Sequence, residues 1–139
     1  MRKIFVDTSF IISLFRKNDS NHDLTKKYSY LIDKNECYIS NAILIEIITV
    51  LMKRTKNIQL VKKAYLYLND NFIIINEYDI EDYNDKVFNV FQKYNLNTFK
   101  VSYVDCSSVV ISNYYNIDVV LTLDNGFKLF NEIDLFELS

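Results

Sequence analysis

The stretch K-I-F-V-D at Lys3–Asp7 sets the direction of the fold. Three consecutive apolar residues that end at an acid predict a short strand buried on both faces. A second stretch, D-V-V-L-T-L-D at Asp118–Asp124, repeats the pattern near the carboxyl end. Strands of this kind are typical of a parallel sheet that helices cover on both sides.

The intervals between these strands carry apolar residues at helical spacing. Helices are predicted over 9–15, 23–34, 42–54, 58–68, 79–94 and 102–115, and further short strands over 37–39, 72–75 and 134–138. Strands and helices therefore alternate along the chain. This order predicts a single domain over residues 1–139, built as a three-layer α/β/α sandwich with a central, mainly parallel sheet.

Composition narrows the class of protein. The chain has 139 residues, of which 50% are hydrophobic and 24% charged, so a folded domain is expected and a disordered protein is excluded. Two cysteines, Cys37 and Cys106, make no disulfide framework, which favours a reducing compartment. No secretory signal is visible, and the most apolar stretch, 42–52, is about half the length of a membrane span. A cytoplasmic protein without a membrane segment is expected.

Acidic residues follow the predicted strands at positions that a parallel fold brings together. Asp7 and Asp124 each come directly after a strand, so both should emerge at the carboxyl edge of the sheet. Asp105 lies in the first turn of a helix, and helix N-termini face the same edge. Glu46 belongs to a small and polar helical stripe that can also face it. The sequence therefore predicts four carboxylates at one edge.

Four clustered carboxylates require a cation, because they repel one another and each loses hydration. Oxygen ligands of this type are preferred by Mg²⁺ and Mn²⁺. One such ion activates a water, and a second about 4 Å away stabilises a leaving oxygen, which suits phosphodiester hydrolysis. One or two ions are compatible with the four acids.

Neighbouring polar residues fit the same site. Hydroxyl and amide side chains beside the acids can orient a carboxylate or bind a phosphate oxygen. They are Thr8, Ser9, Thr122 and Asn125. The net charge of −2 provides no basic footprint for nucleic acid, but Lys53 and Arg54 lie about two helical turns beyond Glu46 and can guide an RNA backbone.

Each acid also has a structural interpretation. Asp7 and Asp124 can be helix N-caps, and Asp105 can complete a capping box with Ser102. Glu46 can be a solvated helix residue, and the basic residues can be a solvated helix face. Only convergence of all four acids at one edge favours catalysis.

At these acids the chain resembles the PIN-domain nucleases, particularly the VapC-like toxins of toxin–antitoxin pairs. The resemblance covers essentially the whole chain and rests on four segments: F-V-D-T-S-F-I-I at 5–12, S-N-A-I-L-I-E-I at 40–47, D-C-S-S-V-V-I-S at 105–112 and V-V-L-T-L-D-N-G-F at 119–127. It implies an α/β/α fold, Mg²⁺ or Mn²⁺ held by Asp7, Glu46, Asp105 and Asp124, and endonucleolytic cleavage of RNA. It also implies a homodimer and an antitoxin partner. Ser112 departs mildly from the family, which often has Ala there.

Other functions compete with a metal-dependent nuclease. A phosphoryl-accepting receiver domain needs an acidic pair after the first strand, and a dehalogenase-type phosphatase needs D-x-D there. Asp7-Thr8-Ser9 meets neither requirement. A non-catalytic PIN-like module that binds proteins and a housekeeping RNA-processing nuclease both remain as alternatives.

Overall fold

Four strands form one parallel sheet. The computed structural model describes residues 1–139. The strands are β1 (Lys3–Val6), β2 (Glu36–Ser40), β3 (Ile73–Ile75) and β4 (Val119–Leu121). Their order across the sheet is β3-β2-β1-β4, and every neighbouring pair is parallel. The carboxyl ends of all four strands therefore lie at one edge.

Seven helices connect the strands. They are α1 (Thr8–Leu14), α2 (His22–Tyr28), α3 (Tyr30–Lys34), α4 (Asn41–Thr55), α5 (Ile58–Asn71), α6 (Tyr83–Tyr94) and α7 (Tyr103–Tyr114). Two short 3₁₀ turns, Glu77–Asp79 and Asn125–Leu129, follow β3 and β4. Helices α1, α2, α4 and α5 form one connected group, and α6 packs against α7.

The burial of β1 shows that helices cover both faces of the sheet. Ile4, Phe5 and Val6 point alternately to opposite faces, and all three are fully buried. This agrees with the predicted three-layer α/β/α sandwich with a parallel sheet, which is confirmed. The apolar core continues into the helices without a break.

Side-chain caps fix where the helices begin. The Ser40 hydroxyl accepts from the Ile43 N–H (3.1 Å) and starts α4, while the Asn57 side chain caps the start of α5. At α7, Ser102 accepts from the Asp105 N–H (3.0 Å), and the Asp105 carboxylate accepts from the Ser102 N–H (3.4 Å). The predicted capping box is therefore present.

Three predicted elements were wrong in their extent. The helix predicted over 23–34 is divided into α2 and α3, because the Ser29 hydroxyl and N–H both bond to the Lys26 carbonyl and tighten that turn. The helix predicted over 79–94 begins only at Tyr83, since Asp82 is left-handed with φ 55°. The strand predicted over 134–138 is reduced to one bridge, between Val120 and Leu135.

Two further features are the apolar character of the helices and the state of the two cysteines. None of the helices combines the length and the apolar character needed to cross a membrane. Cys37 and Cys106 are both buried and free, in agreement with the expected lack of a disulfide framework.

Candidate metal centre at the carboxyl edge of the sheet

An open cleft of about 540 Å³ lies at the carboxyl edge of the sheet. All four predicted acids, Asp7, Glu46, Asp105 and Asp124, line it. They arrive from four different elements: the end of β1, the helix α4, the first turn of α7 and the residue before the second 3₁₀ turn. The parallel topology is what brings them together, because it places strand ends and helix starts on one side.

Asp7 is the most buried of the four, with 4% of its surface exposed. Burial raises the pKa of its carboxyl, and the charge of Glu46 adds to that rise. All hydrogen bonds to the side chain go to Oδ2, from the hydroxyls of Ser9 (2.9 Å) and Thr122 (2.9 Å) and weakly from the Ser9 N–H (3.5 Å). The Oδ1 atom has no protein partner and is not fully enclosed, so it is available to the cleft.

The two hydroxyls around Asp7 form a fixed support. The Ser9 hydroxyl accepts from the Leu123 N–H (2.9 Å), and the Thr122 hydroxyl accepts from the Asp124 N–H (3.0 Å). Because each hydroxyl oxygen accepts a hydrogen bond from a backbone N–H, the hydroxyl uses its own O–H to donate to the carboxylate. The ends of β1 and β4 are thereby tied together, and the orientation of Asp7 is fixed.

Asp105 responds to its acidic neighbours. Burial comes first and the negative charges of Asp7 and Asp124 second, and together they raise the pKa of the Asp105 carboxyl to about 6. The charges of Asp7 and Asp124 therefore act on Asp105 and disfavour its ionised form. A divalent cation would remove this repulsion.

The Asp124 carboxylate lies close to the backbone of Gly126. The Asp124 Oδ1 atom accepts from the Gly126 N–H (2.8 Å), so the acid is the N-cap of the 3₁₀ turn. A Cβ on Gly126 would lie 3.1 Å from that same oxygen. Gly126 does not have positive φ, so its role here is to leave space for the carboxylate.

The substitution Gly126→Ala is expected to move the Asp124 carboxylate by a few tenths of an ångström. Metal-dependent cleavage should fall several-fold, since small displacements of reacting groups have large kinetic effects. Stability should change by less than about 1 kcal/mol, because φ is compatible with Ala. Lys128→Ala in the same turn is the control. An unchanged cleavage rate in Gly126→Ala would argue against a tightly placed Asp124.

Glu46 owes its position to the start of α4. The Glu77 carboxylate is buried and accepts the N–H groups of Asn41 (3.1 Å) and Ala42 (2.9 Å). Together with the Ser40 cap, it satisfies the first three N–H groups of the helix. Glu77 was missed by sequence reasoning, because it is one of several acids in the segment 77–85 and no local pattern distinguishes it from the others.

An acid that caps a helix or turn can also serve as a ligand in the cleft. The alternative that Asp7, Asp105 and Asp124 are caps is correct, since each accepts from a backbone N–H. Each cap, however, uses one carboxylate oxygen. The second oxygen of each acid makes no hydrogen bond within the chain, so it is available as a ligand.

The other residues predicted for the site are the hydroxyl, amide and basic side chains, and only some of them line the cleft. Thr8, Ser9 and Arg54 line the cleft, whereas Lys53 does not. The Thr8 hydroxyl is buried and has no hydrogen-bond partner. Thr122 lies behind Asp7, and Asn125 lines a neighbouring groove instead.

Three charged or aromatic residues that line the cleft were missed by sequence reasoning. They are Asp19, Phe99 and Lys100. The Asp19 carboxylate is already engaged, by the Ser13 hydroxyl (3.0 Å), the Asn21 N–H (2.9 Å) and Arg16 (3.7 Å). Phe99 and Lys100 belong to a loop without periodicity, so no local signal could have placed them at the cleft.

The residues fit a divalent ion by chemical type. The four acids supply hard oxygen donors, which Mg²⁺ and Mn²⁺ prefer. As the side chains are oriented here, no three His, Cys, Asp or Glu residues stand close enough to form a complete ligand group. An ion would therefore have to draw the carboxylates inward or retain several waters, as Mg²⁺ usually does.

The raised pKa of Asp105 predicts a pH dependence of stability in EDTA. The folded chain binds this proton more readily than the unfolded chain, whose carboxyl titrates near 3.8. The contribution to stability is therefore present at low pH and is lost as pH rises through about 6. The Tm of the metal-free chain should rise as the pH falls from 7.5 to 5, mainly below about pH 6, where the folded Asp105 carboxyl becomes protonated.

Asp105→Asn is the matching variant for this test. It should have a higher Tm than the native chain at pH 7.5 and lose that advantage toward pH 5. Asp70→Asn, which changes an exposed carboxylate far from the cleft, is the control. A native Tm that does not depend on pH in this range, with no gain in Asp105→Asn, would contradict the mutual repulsion.

A parallel α/β/α sandwich with acids grouped at its carboxyl edge is the arrangement expected of PIN-type nucleases. The model of the PIN domain family matches residues 4–133, and the chain belongs to this family. The family resemblance read from the four sequence segments is therefore confirmed. Among curated protein sequences, none matches the chain.

Solved structures with the same fold include two with VapC-type names. One is VapC20 of Mycobacterium tuberculosis, described as a toxin that cleaves the sarcin-ricin loop. It has 24% identity and a TM-score of 0.74, over 94% of this chain and 98% of that one. The second, VapBC2 of Rickettsia felis bound to a promoter DNA fragment, has 16% identity and a TM-score of 0.73, over 96% and 97% of the two chains. A protein of Pyrobaculum aerophilum is also similar, with 14% identity and a TM-score of 0.61, over 91% and 82%. At these identities the likeness concerns the fold.

Proposed function

We propose that this chain is a divalent-metal-dependent endoribonuclease that hydrolyses RNA phosphodiester bonds. The observation that carries the proposal is the shared cleft of Asp7, Glu46, Asp105 and Asp124, in which Asp105 feels the charges of two other acids. Such repulsion is tolerated where a cation binds. We assign the whole chain, 1–139, to one nuclease domain in the cytoplasm.

The four acids would hold one or two Mg²⁺ or Mn²⁺ ions. A bound ion of this kind supplies an activated water and stabilises charge on phosphate oxygens. Other residues of the chain would orient the acids and bind the substrate. Ser9 and Thr122 hold Asp7 with one oxygen turned to the cleft, and Arg54 offers a cation to the phosphate backbone. Thr8 lines the cleft, but its hydroxyl is buried and does not face the phosphate path.

A toxin of a toxin–antitoxin pair is the proposed biological role. Support comes from the sequence resemblance to VapC-like toxins and from the fold shared with VapC20 and VapBC2. The VapBC2 structure supports an antitoxin partner, and the sequence resemblance supports a homodimer. A housekeeping RNA-processing nuclease would have the same cleft, so the presence of an antitoxin that binds the chain separates the two roles.

The alternative is a PIN-like module that binds proteins and does not cut RNA. The observation in its favour is the separation of the acids, which do not form a complete ligand group as they stand. The test is incubation of the native chain with a mixed-sequence, structured RNA in Mg²⁺, in Mn²⁺ and in EDTA. Cleavage that requires metal is expected. No cleavage in any condition, together with no Mn²⁺ binding, would favour the protein-binding module.

A further inference from the structure

The loop between α6 and α7 is held rigid by one side chain. Asn95 donates from Nδ2 to the carbonyl oxygens of Phe91 (2.8 Å) and Val101 (3.1 Å). Its Oδ1 atom accepts the N–H groups of Lys100 (2.7 Å) and Val101 (3.1 Å). All of the amide's hydrogen-bonding groups are thus used to brace the loop. The residues just before Val101 therefore have a fixed position.

This braced loop presents Phe99 beside the acidic cleft. The Phe99 side chain is 72% exposed, and the residue lines the cleft. Leu96, on the same loop, is 76% exposed but does not line it. Phe99 makes no aromatic pair within the chain, whereas Phe91 on the preceding helix packs against Tyr103. A flat apolar surface is therefore open at the rim of the site.

Charge at the cleft limits how a phosphate chain can approach. Five carboxylates line it, from Asp7, Asp19, Glu46, Asp105 and Asp124, but only two cations, Arg54 and Lys100. Neither cation makes an ion pair within the chain. They come from α4 and from the braced loop, so they reach the cleft from two separate elements. A backbone that enters the cleft has its positive partners at these two points.

We propose that Phe99 and Lys100 form a nucleotide subsite in which Phe99 stacks on an unpaired base and Lys100 contacts the adjoining phosphate. This rests on the proposed function and names its substrate class as single-stranded RNA segments. Bases in a duplex are already stacked on their neighbours, so only a splayed-out base can use an aromatic platform. Phe99 is a positioning and specificity residue and takes no part in the reaction itself.

Equilibrium binding of a fluorescent RNA dodecamer tests the subsite without any cleavage. It is measured by anisotropy in EDTA and in Ca²⁺. Phe99→Ala is expected to weaken binding about tenfold, within the range found for loss of one base–aromatic stack. Phe99→Trp should restore it. Lys100→Gln should flatten the dependence of log K on log salt by about 0.7, the value for one phosphate contact with a single strand.

Matched controls separate stacking from a general loss of structure. Leu96→Ala removes an equally exposed apolar side chain from the same loop, and Lys62→Gln removes an exposed cation from α5. Neither should change binding. A blunt duplex of the same sequence should bind more weakly than the single strand and should not distinguish Phe99→Ala from the native chain. Dodecamers with one abasic site at successive positions should include one for which Phe99→Ala has no further effect.

The outcomes separate this inference from the proposed function. Equal binding by native and Phe99→Ala chains, or a Phe99→Ala loss that persists at every abasic position, would overturn the subsite even if metal-dependent cleavage is found. No binding by the native chain in either condition would also overturn it. Phe99-dependent binding without cleavage would keep the subsite and reject the nuclease.

Discussion

Asp7→Asn is expected to lower metal-dependent RNA cleavage by more than about a hundredfold, because even loss of residues that only support metal ligands reduces activity 10- to 100-fold. The substitution keeps the shape of the side chain. Its carbonyl oxygen can accept from Ser9 and Thr122 in place of Oδ2, which leaves a neutral amide where Oδ1 faces the cleft. The change therefore removes one anionic ligand and little else.

The fold of Asp7→Asn should be retained. Burial raises the pKa of Asp7, which means that the charged form is disfavoured at this position. In EDTA at neutral pH the variant should have a Tm equal to or higher than that of the native chain. Cleavage is measured under the conditions of native activity, with Asp70→Asn as the control. Retained cleavage in a folded Asp7→Asn chain would remove Asp7 from the site.

Glu77→Ala is expected to produce the largest loss of stability, about 3 kcal/mol, from two hydrogen bonds to a buried carboxylate at a helix N-terminus. Glu77 is only 2% exposed, so water cannot replace the lost partner. The N–H groups of Asn41 and Ala42 would both be left without an acceptor. For a chain of this size the fall in Tm should be roughly 10 °C.

The loss should extend to the cleft, because α4 carries Glu46 and Arg54. Glu77→Gln should recover only part of the stability, since its amide group would oppose one of the two N–H donors. Glu81→Ala, an exposed acid four residues along, is the control for thermal unfolding. If Glu77→Ala and Glu81→Ala unfold at the same temperature, Glu77 does not secure the start of α4.

The sequence was sufficient to predict the four parallel strands and the placement of the four acids along one cleft, while the catalytic role of these acids stays a prediction. The runs at residues 4–6 and Val119–Leu121 are apolar on both faces, as expected of strands in a sheet that is covered on both sides. The carboxyl-edge rule then placed Asp7 and Asp124 without any knowledge of distance. Asp105 followed from its capping box, which is a local pattern.

Other features of the fold and the cleft depend on tertiary contacts, which no periodic pattern in the sequence indicates. Asp82 adopts a left-handed conformation that delays α6, and nothing in its neighbours marks it. Glu77 binds a helix that precedes it by some 35 residues. Phe99 and Lys100 reach the cleft because Asn95 folds their loop back, which is a side-chain network rather than a pattern.

The acids in the cleft are a source of instability that metal would reverse. In EDTA, burial and, after it, repulsion from neighbouring acids disfavour the charged form of Asp105. With a divalent ion the same charges become ligands, and binding stabilises the fold in proportion to occupancy. The metal-free and metal-bound chains should therefore differ in Tm, and the sign of the effect of Asp105→Asn should reverse between them.

The most direct test of the central claim, that the four acids hold a divalent ion, is a Mn²⁺ titration of the native chain at pH 7.5 with Tm and calorimetric heat as readouts. The account predicts saturable binding, a Tm that rises with Mn²⁺ concentration, and loss of both in Asp7→Asn but not in Asp70→Asn. No heat and no change of Tm at millimolar Mn²⁺ would contradict it, as would equal binding by native and Asp7→Asn chains.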